Sequence, residues 1–238
     1  MLIGLKKFTD SFNDRFEITG NTCRIMLYKN RLRKSSFVVF SLIFCFIINM
    51  IAIKFFYEKK ISALTVIDLL NLYTLVNGIF AIFFLPYHPV NFGLNLNRWK
   101  FNLIFGLILG FAGMGISITA RYVMVLNGYM EFDFVPIFKL KKLLYPGVCL
   151  AQDFMVRGVF QSYFVSIFDG SKNNKLTAIF FSSLMFSQLH LTYGFAPMAL
   201  TFIFSFLLGL FYERSRSLLG VTIIHFFTGA GFHFFSQY

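Results

Sequence analysis

The sequence predicts an all-α fold: a polytopic helical membrane protein with about seven, or eight, transmembrane helices around a polar intramembrane cavity. Three observations predict it. Of the 238 residues, 57% are hydrophobic and only 13% are charged, and the mean hydropathy is +0.70. Apolar runs long enough to cross a bilayer recur along the chain. Some of these runs carry ionisable groups near their middle, which are costly at membrane depth unless they face a partner or a wet cavity.

We predict seven spans from the apolar runs, with boundaries accurate to a few residues. They cover residues 37–55, 64–86, 101–120, 143–168, 176–193, 196–213 and 217–235. The fifth and sixth spans are nearly continuous and are divided by a break at residues 193–197, which includes Pro197. Residues 121–142, with Glu131 and Asp133, are too polar to cross the bilayer and are predicted to form an interfacial or partly re-entrant element.

The chain divides into a basic N-terminal segment, residues 1–36, and a single helical membrane domain, residues 37–238. Leu5, Phe8 and Phe12 recur at helical spacing beside lysines, which favours an amphipathic helix at the cytoplasmic membrane interface. The lysines and arginines that crowd the start of the first span predict an N-terminus inside. No short apolar region with a small-residue cleavage site precedes that span, so a cleavable signal peptide is not expected.

Charge and cysteine content limit the expected partners. The formal net charge of +12 lies at the ends and loops of the apolar runs, which predicts contact with anionic membrane lipids. The sequence has no basic, aromatic-interleaved motif of a nucleic-acid binder, so nucleic acid is not an expected partner. The three cysteines lack the paired spacing of a zinc site or a disulfide framework. We expect no cofactor and no metal, and the sequence does not indicate an oligomeric state.

The most polar predicted span, residues 143–168, carries Gln152, Asp153, Arg157 and Gln161 near its middle. Asp153 and Arg157 are four residues apart and therefore share one helix face. Two interpretations stay open: an ion pair that neutralises itself inside the bundle, or a catalytic acid with Arg157 as its structural partner. The later spans offer polar groups that could meet this face: His190, His225 and Thr228.

Three short motifs line up in three of the predicted spans. Residues 152–158 (QDFMVRG) echo Glu-Glu-x-x-x-Arg-Gly, residues 186–190 (FSQLH) fit Phe-x-x-x-His, and residues 225–229 (HFFTG) approach His-x-x-x-Asn. Their order and spacing resemble the CPBP (Abi, CAAX-protease-like) family of intramembrane proteins, over about residues 91–238. Each motif is weak by itself, but three in order, each inside an apolar span, are considerably more specific.

The resemblance implies an intramembrane endopeptidase that hydrolyses a peptide bond of a membrane-associated or secreted protein or peptide. Asp153 and His190 would hold the attacking water, and His225 with the residue four further on would stabilise the oxyanion. The expected supporting groups are Gln152, Arg157 and Thr228. The resemblance also implies a multi-pass protein of the bacterial cytoplasmic membrane.

Two positions depart from the family's pattern. The first glutamate is replaced by Gln152, which cannot accept a proton, and the final asparagine by Gly229, which has no side-chain donor. Asp153 and Thr228 carry polar groups but lie on neighbouring helix faces. His190 lies close to the end of its span, so it can join the others at depth only if the fifth helix ends early, which the following break allows.

Three other interpretations stay open. A catalytically silent family member would use the same polar cavity to bind a partner, as an immunity or regulatory protein. Acyl transfer on lipoproteins is another, because a carboxylate and histidines can also activate an amine. A zinc site made of Asp153, His190 and His225 ranks lower, since the sequence lacks His-Glu-x-x-His.

Overall fold

A computed structural model of the chain describes residues 35–85, 89–128, 144–168, 171–191 and 194–233. Over these residues the regular structure is entirely helical, which confirms the predicted all-α class. In chain order, the helices of this part of the chain are α1 (Ser35–Tyr57), α2 (Ala63–Phe84), α3 (Trp99–Leu126), α4 (residues 145–167), α5 (Asn174–Gln188), α6 (Phe195–Ser215) and α7 (Leu218–His233). The helix α4 is composite: α-helical over Tyr145–Asp153, π-helical over Phe154–Gln161 and again α-helical over Ser162–Ile167.

Four of the helices within the described ranges, α1, α2, α3 and α6, are long and apolar enough to cross a membrane. The helices α5 and α7 contain 15 and 16 residues. At about 1.5 Å per residue they are shorter than the bilayer core, which is about 30 Å thick. The helix α4 is divided into shorter pieces by its π-helical stretch. Length and composition therefore support four spans, fewer than the seven that the apolar runs predict.

The helix α3 is longer than predicted. It continues to Leu126, beyond the predicted end at residue 120, because the sequence that follows Arg121 is mostly apolar. Arg121 does not end the helix: its side chain is buried, and its Nη1 donates to the backbone carbonyl of Phe232 on α7 at 3.2 Å. Residues 1–34 and 129–143, which carry the predicted amphipathic helix and most of the predicted interfacial element, lie outside the described residues.

The helix α5 is shorter than predicted. It ends at Gln188 rather than near residue 193, and His190 lies in the turn that follows, where its backbone N–H donates to the carbonyl of Ser187 at 2.9 Å. Gly194 has a φ of 107°, a conformation that glycine adopts at little cost, and so allows the chain to turn into α6. This is the early helix end that a role for His190 at depth requires.

Small residues bring α3 and α7 into close contact. A Cβ built on Gly106 would lie 3.2 Å from the Cα of Gly220, and one built on Gly110 would lie 3.1 Å from the ring of Phe227. Helices that meet through glycine can approach closely and gain dispersion contacts, which drive association where lipid replaces water. The helix α7, which carries His225, is thereby held firmly against α3.

A loop ahead of α3 fixes the position of α7 relative to α4. The short 3-10 helix Pro89–Phe92 places the buried Phe92 against Gly158 of α4, where an added Cβ would lie 2.6 Å from the Phe92 carbonyl oxygen. The next residue, Gly93, accepts a hydrogen bond from the backbone N–H of Leu218 at 2.9 Å, at the first residue of α7. The same loop therefore contacts both helices that carry the candidate site.

We expect Gly158→Ala to destabilise the protein by about 1–3 kcal/mol, because the added methyl group overlaps a backbone carbonyl that cannot move away easily. The measurement is the thermal unfolding of the purified protein in detergent micelles. Gly147→Ala is the matched control: it is on the same helix, and nothing lies within 4 Å of its added Cβ. Ala is the better helix former, so the control is expected to be neutral or stabilising by up to about 1 kcal/mol. Equal melting temperatures for the two variants would contradict the packing argument.

Candidate active site

Every fourth residue of α4 from Tyr145 to Gln161 carries a hydroxyl, thiol, charged or amide group. In a regular α-helix such a column would rotate by about 40° per step, because 3.6 residues make one turn. The π-helical stretch from Phe154 has more residues per turn and rotates the chain less per residue. Arg157 and Gln161 therefore stay on the inner side of the bundle, each with 1% of its surface exposed. Short π-helical segments are frequent at functional sites.

The side chains of Asp153 and His225 form a direct contact between α4 and α7. Asp153 Oδ2 and His225 Nδ1 are 3.2 Å apart, and both residues are buried, with 3% and 7% of their surface exposed. When the carboxylate is ionised it can only accept a hydrogen bond, and in that state Nδ1 donates and Nε2 is left as the basic nitrogen. An imidazole oriented in this way by a carboxylate can take a proton from water or another weak acid.

His190 lies near this pair, and its ring contacts a phenylalanine that also contacts His225. Its Nδ1 lies 3.4 Å from the carbonyl oxygen of Phe186, and its ring meets the Phe186 ring edge-on with centroids 5.2 Å apart. The same Phe186 ring meets the imidazole of His225 edge-on at 5.7 Å. Of the three predicted catalytic residues, Asp153 and His225 are therefore joined by a hydrogen bond, and His190 is their neighbour through Phe186.

Two of the predicted supporting residues point away from the pair. Gln152 donates from Nε2 to Asn71 Oδ1 of α2 at 2.9 Å. Thr228 Oγ1 packs against Gly113 of α3, where an added Cβ would overlap it, and within the described part of the chain this buried hydroxyl has no hydrogen-bond partner. Both side chains are occupied with helix packing rather than with Asp153 and His225.

Arg157 joins three helices instead of forming the local ion pair suggested by its spacing from Asp153. Its Nη1 donates to Ser183 Oγ of α5 at 3.3 Å, and its Nη2 donates to both the carbonyl oxygen, at 2.5 Å, and the hydroxyl of Ser205 on α6. Gly209 leaves room for this guanidinium, since a Cβ there would lie 3.1 Å from Nη1. Opposite charge still attracts Arg157 to Asp153, but its hydrogen bonds fasten α4 to α5 and α6.

Tyr145 is a further polar residue at this site and lies outside the three sequence motifs. Its hydroxyl oxygen lies where the side chain of a larger residue at Gly229 would be, because a Cβ built on Gly229 would overlap it. The Tyr145 ring also packs against Phe226, with centroids 5.9 Å apart. The signal that could have found it is the spacing of four, since Tyr145, Cys149 and Asp153 occupy successive turns of α4.

The predicted polar cavity around the pair stays a prediction. A separate groove of about 870 Å³ lies between α1 and α2, away from this pair. It is lined largely by aromatic side chains such as Phe37, Phe40 and Tyr73. Within the described ranges, no group of three His, Cys, Asp or Glu side chains is arranged to hold a metal ion. The zinc interpretation therefore lacks the geometry that it needs.

Comparison with known proteins gives a match to one family model over part of the chain. The model of the family described as type II CAAX prenyl endopeptidase Rce1-like matches residues 142–230, a range that contains all three motifs. The resemblance predicted from the motifs is thereby confirmed over this range. The match lends no support to a bacteriocin-immunity role. Neither the curated proteins nor the solved structures gave a match.

Proposed function

We propose that this chain, whose residues 142–230 match the type II CAAX prenyl endopeptidase Rce1-like family, is an intramembrane endopeptidase. Its substrate is a peptide bond in a membrane-associated or secreted protein or peptide. The observation that carries the proposal is the buried contact of 3.2 Å between Asp153 and His225. It joins two of the family's motifs inside an apolar helix bundle.

In the proposed reaction, Asp153 orients the imidazole of His225 through Nδ1. His225 Nε2 takes a proton from water while the water oxygen bonds to the carbonyl carbon of the substrate, and the carbonyl oxygen becomes the oxyanion of a tetrahedral intermediate. The proton on Nε2 then passes to the leaving nitrogen as the C–N bond breaks. The products are a carboxylic acid and an amine, and His225 returns to its neutral form.

With His225 as the general base, the reaction does not need a proton acceptor at position 152. In the family pattern the first-motif glutamate stands at this position, but Gln152 cannot accept a proton, and its amide is engaged by Asn71 at 2.9 Å. With His225 as the base, a carboxylate at position 152 is not required. His190, whose ring contacts the same Phe186 side chain as His225, is the second imidazole of the site and helps to hold the attacking water.

We also propose that the shorter helices α4, α5 and α7 complete a bundle of about seven membrane-spanning helices. The N-terminus lies in the cytoplasm and membrane lipids surround the bundle, in a bacterial cytoplasmic membrane. Glycine contacts between α3 and α7 support this arrangement, because such contacts are typical of helices that associate within lipid. The polar cavity is formed where α4, α5 and α7 meet.

The proposed function is tested with Asp153→Asn, which keeps the shape of the side chain and removes its charge. We expect cells that produce the wild type to release peptide fragments. The amount of these fragments should be about 10²–10⁴-fold lower in cells that produce Asp153→Asn, which is the range for loss of general acid–base catalysis. The measurement is quantitative mass spectrometry of new peptide termini in membranes and medium. Asp68→Asn, the same change at an exposed position of α2, is the matched control.

A catalytically silent member that binds a partner is the second candidate, and Gln152 is the observation that favours it. Such a protein would yield no Asp153-dependent fragments at all. An identical set of fragments from wild type and Asp153→Asn would therefore contradict the peptidase and favour the binding protein. A third variant, Gln152→Glu, would then leave the fragment set unchanged as well.

A further inference from the structure

The hydroxyl of Tyr145 lies against Gly229 of α7. A Cβ added to Gly229 would overlap the Tyr145 hydroxyl oxygen and would lie 2.9 Å from the ring carbon that carries it. The aromatic residue therefore fills the volume that a side chain at position 229 would otherwise take. Glycine at 229 is what allows a hydroxyl group from α4 to reach the surface of α7.

Two contacts between α4 and α7 show where the Tyr145 hydroxyl lies relative to His225. Asp153 meets His225, and Tyr145, eight residues earlier on α4, meets Gly229, four residues later on α7. The two helices therefore run antiparallel here. His225 and Gly229 are four residues apart and share one face of α7, so the Tyr145 hydroxyl lies about one helical turn from the imidazole.

The surroundings of Tyr145 hold its ring at the surface of α7. The ring packs against Phe226 with centroids 5.9 Å apart. A phenol O–H is a hydrogen-bond donor, and a bond to a negatively charged oxygen is stronger than one to a neutral acceptor.

The proposed reaction requires such a donor. A base and an orienting carboxylate generate the nucleophile, but the oxyanion that forms on the carbonyl carbon needs its own hydrogen-bond donors. Gly229 has no side chain, and the hydroxyl of Thr228 packs against Gly113 of α3. The Tyr145 O–H is a donor on the same side of α7 as His225.

We propose that Tyr145 donates a hydrogen bond from its hydroxyl to the oxyanion of the tetrahedral intermediate, in the place that a polar side chain at position 229 would fill. This inference rests on the proposed peptidase function. It makes Tyr145 a catalytic residue that contacts the reacting carbonyl oxygen, and it explains how the site works with glycine at position 229.

The first test is Tyr145→Phe, which removes the hydroxyl and keeps the ring on Phe226. We expect the Asp153-dependent fragments to fall by about 10²–10³-fold, the loss found when one oxyanion donor is removed. The amount of protein in the membrane should stay the same. Tyr163→Phe is the matched control, because Tyr163 is a buried tyrosine of α4 that packs in the apolar core. It should leave the fragments at wild-type amounts.

A rescue experiment separates hydrogen bonding from space filling. Tyr145→Ala clears the volume above Gly229, and Gly229→Asn or Gly229→Leu then places a side chain of similar size there, with or without an N–H donor. We expect the variant with Asn to recover at least about tenfold over Tyr145→Ala, and the variant with Leu to recover nothing, because only the amide can donate.

Each outcome decides between the two proposals. If the wild type makes no Asp153-dependent fragments, the peptidase function and the role of Tyr145 both fail. If Asp153→Asn loses the fragments and Tyr145→Phe keeps them at wild-type amounts, only the role of Tyr145 fails. Equal recovery with Asn and Leu at position 229 would also overturn the role of Tyr145 as a donor. It would show that the site needs a side chain to fill the space and not a hydrogen-bond donor.

Discussion

Replacing His225 by Ala is expected to lower the rate of peptide release by about 10²–10⁴-fold, and adding Asp153→Asn to that variant is expected to lower it no further. The reason is that Asp153 acts through His225: Oδ2 and Nδ1 are 3.2 Å apart and both groups are buried. Once the imidazole is gone, the carboxylate has nothing left to orient. Groups that act as one unit give strongly non-additive losses.

The measurement is a double-mutant cycle on purified protein in liposomes, with a synthetic probe peptide that spans one of the cleavage junctions found in cells. Thr222→Val on α7 is the control, because the Thr222 hydroxyl is buried and, within the described residues, has no hydrogen-bond partner. Removing it should not affect the rate. Losses that multiply in the double variant would mean that Asp153 and His225 act independently, and would contradict the proposed base.

The sequence predicts the all-α class and the approximate position of each described helix, because apolar runs of bilayer length leave little choice of secondary structure. It is less accurate at the ends of α3 and α5. Arg121 is charged, and a local pattern cannot show that its side chain is buried against the end of α7. The break at residues 193–197 allows an early end of α5, but the residue at which α5 ends also depends on how α6 packs, which a window of apolar residues does not show.

The contact between Asp153 and His225 could be predicted because both residues lie in motifs whose order and spacing are specific. The partners of Arg157 and Gln152 could not. Spacing favours an i,i+4 partner on the same helix, whereas Ser205 and Asn71 come from α6 and α2 and are brought in only by packing. The π-helical stretch of α4 likewise has no composition that distinguishes it from an α-helix.

Tyr145 illustrates a different limit. Its spacing from Asp153 is visible in the sequence, but from the sequence alone Gly229 indicates only the loss of a side-chain donor. The structure brings a hydroxyl from another helix into that space. A motif records which groups a single segment supplies, and it cannot show that a distant segment supplies the same chemistry in three dimensions.

Arg157→Ala is expected to lower the free energy of unfolding by about 2–5 kcal/mol, because it leaves a cavity and removes the hydrogen bonds that join α4 to α5 and α6. Stability is commonly about 5–15 kcal/mol, so this variant should also accumulate poorly. Arg157→Lys should lose less than Ala but remain destabilised, since a single ammonium cannot reproduce the fork that bridges Ser183 and Ser205.

The measurement is thermal unfolding in detergent micelles, with Arg214→Ala as the control because Arg214 is exposed in the last turn of α6 and should change stability by less than about 0.5 kcal/mol. Arg157→Met distinguishes structure from catalysis. It fills most of the volume without charge, so if the role of Arg157 is to hold α4 in place, folded Arg157→Met protein should keep most of its peptidase rate. A folded Arg157→Met variant as inactive as Asp153→Asn would show instead that the guanidinium acts on the Asp153 carboxylate, through the attraction that links the two charges.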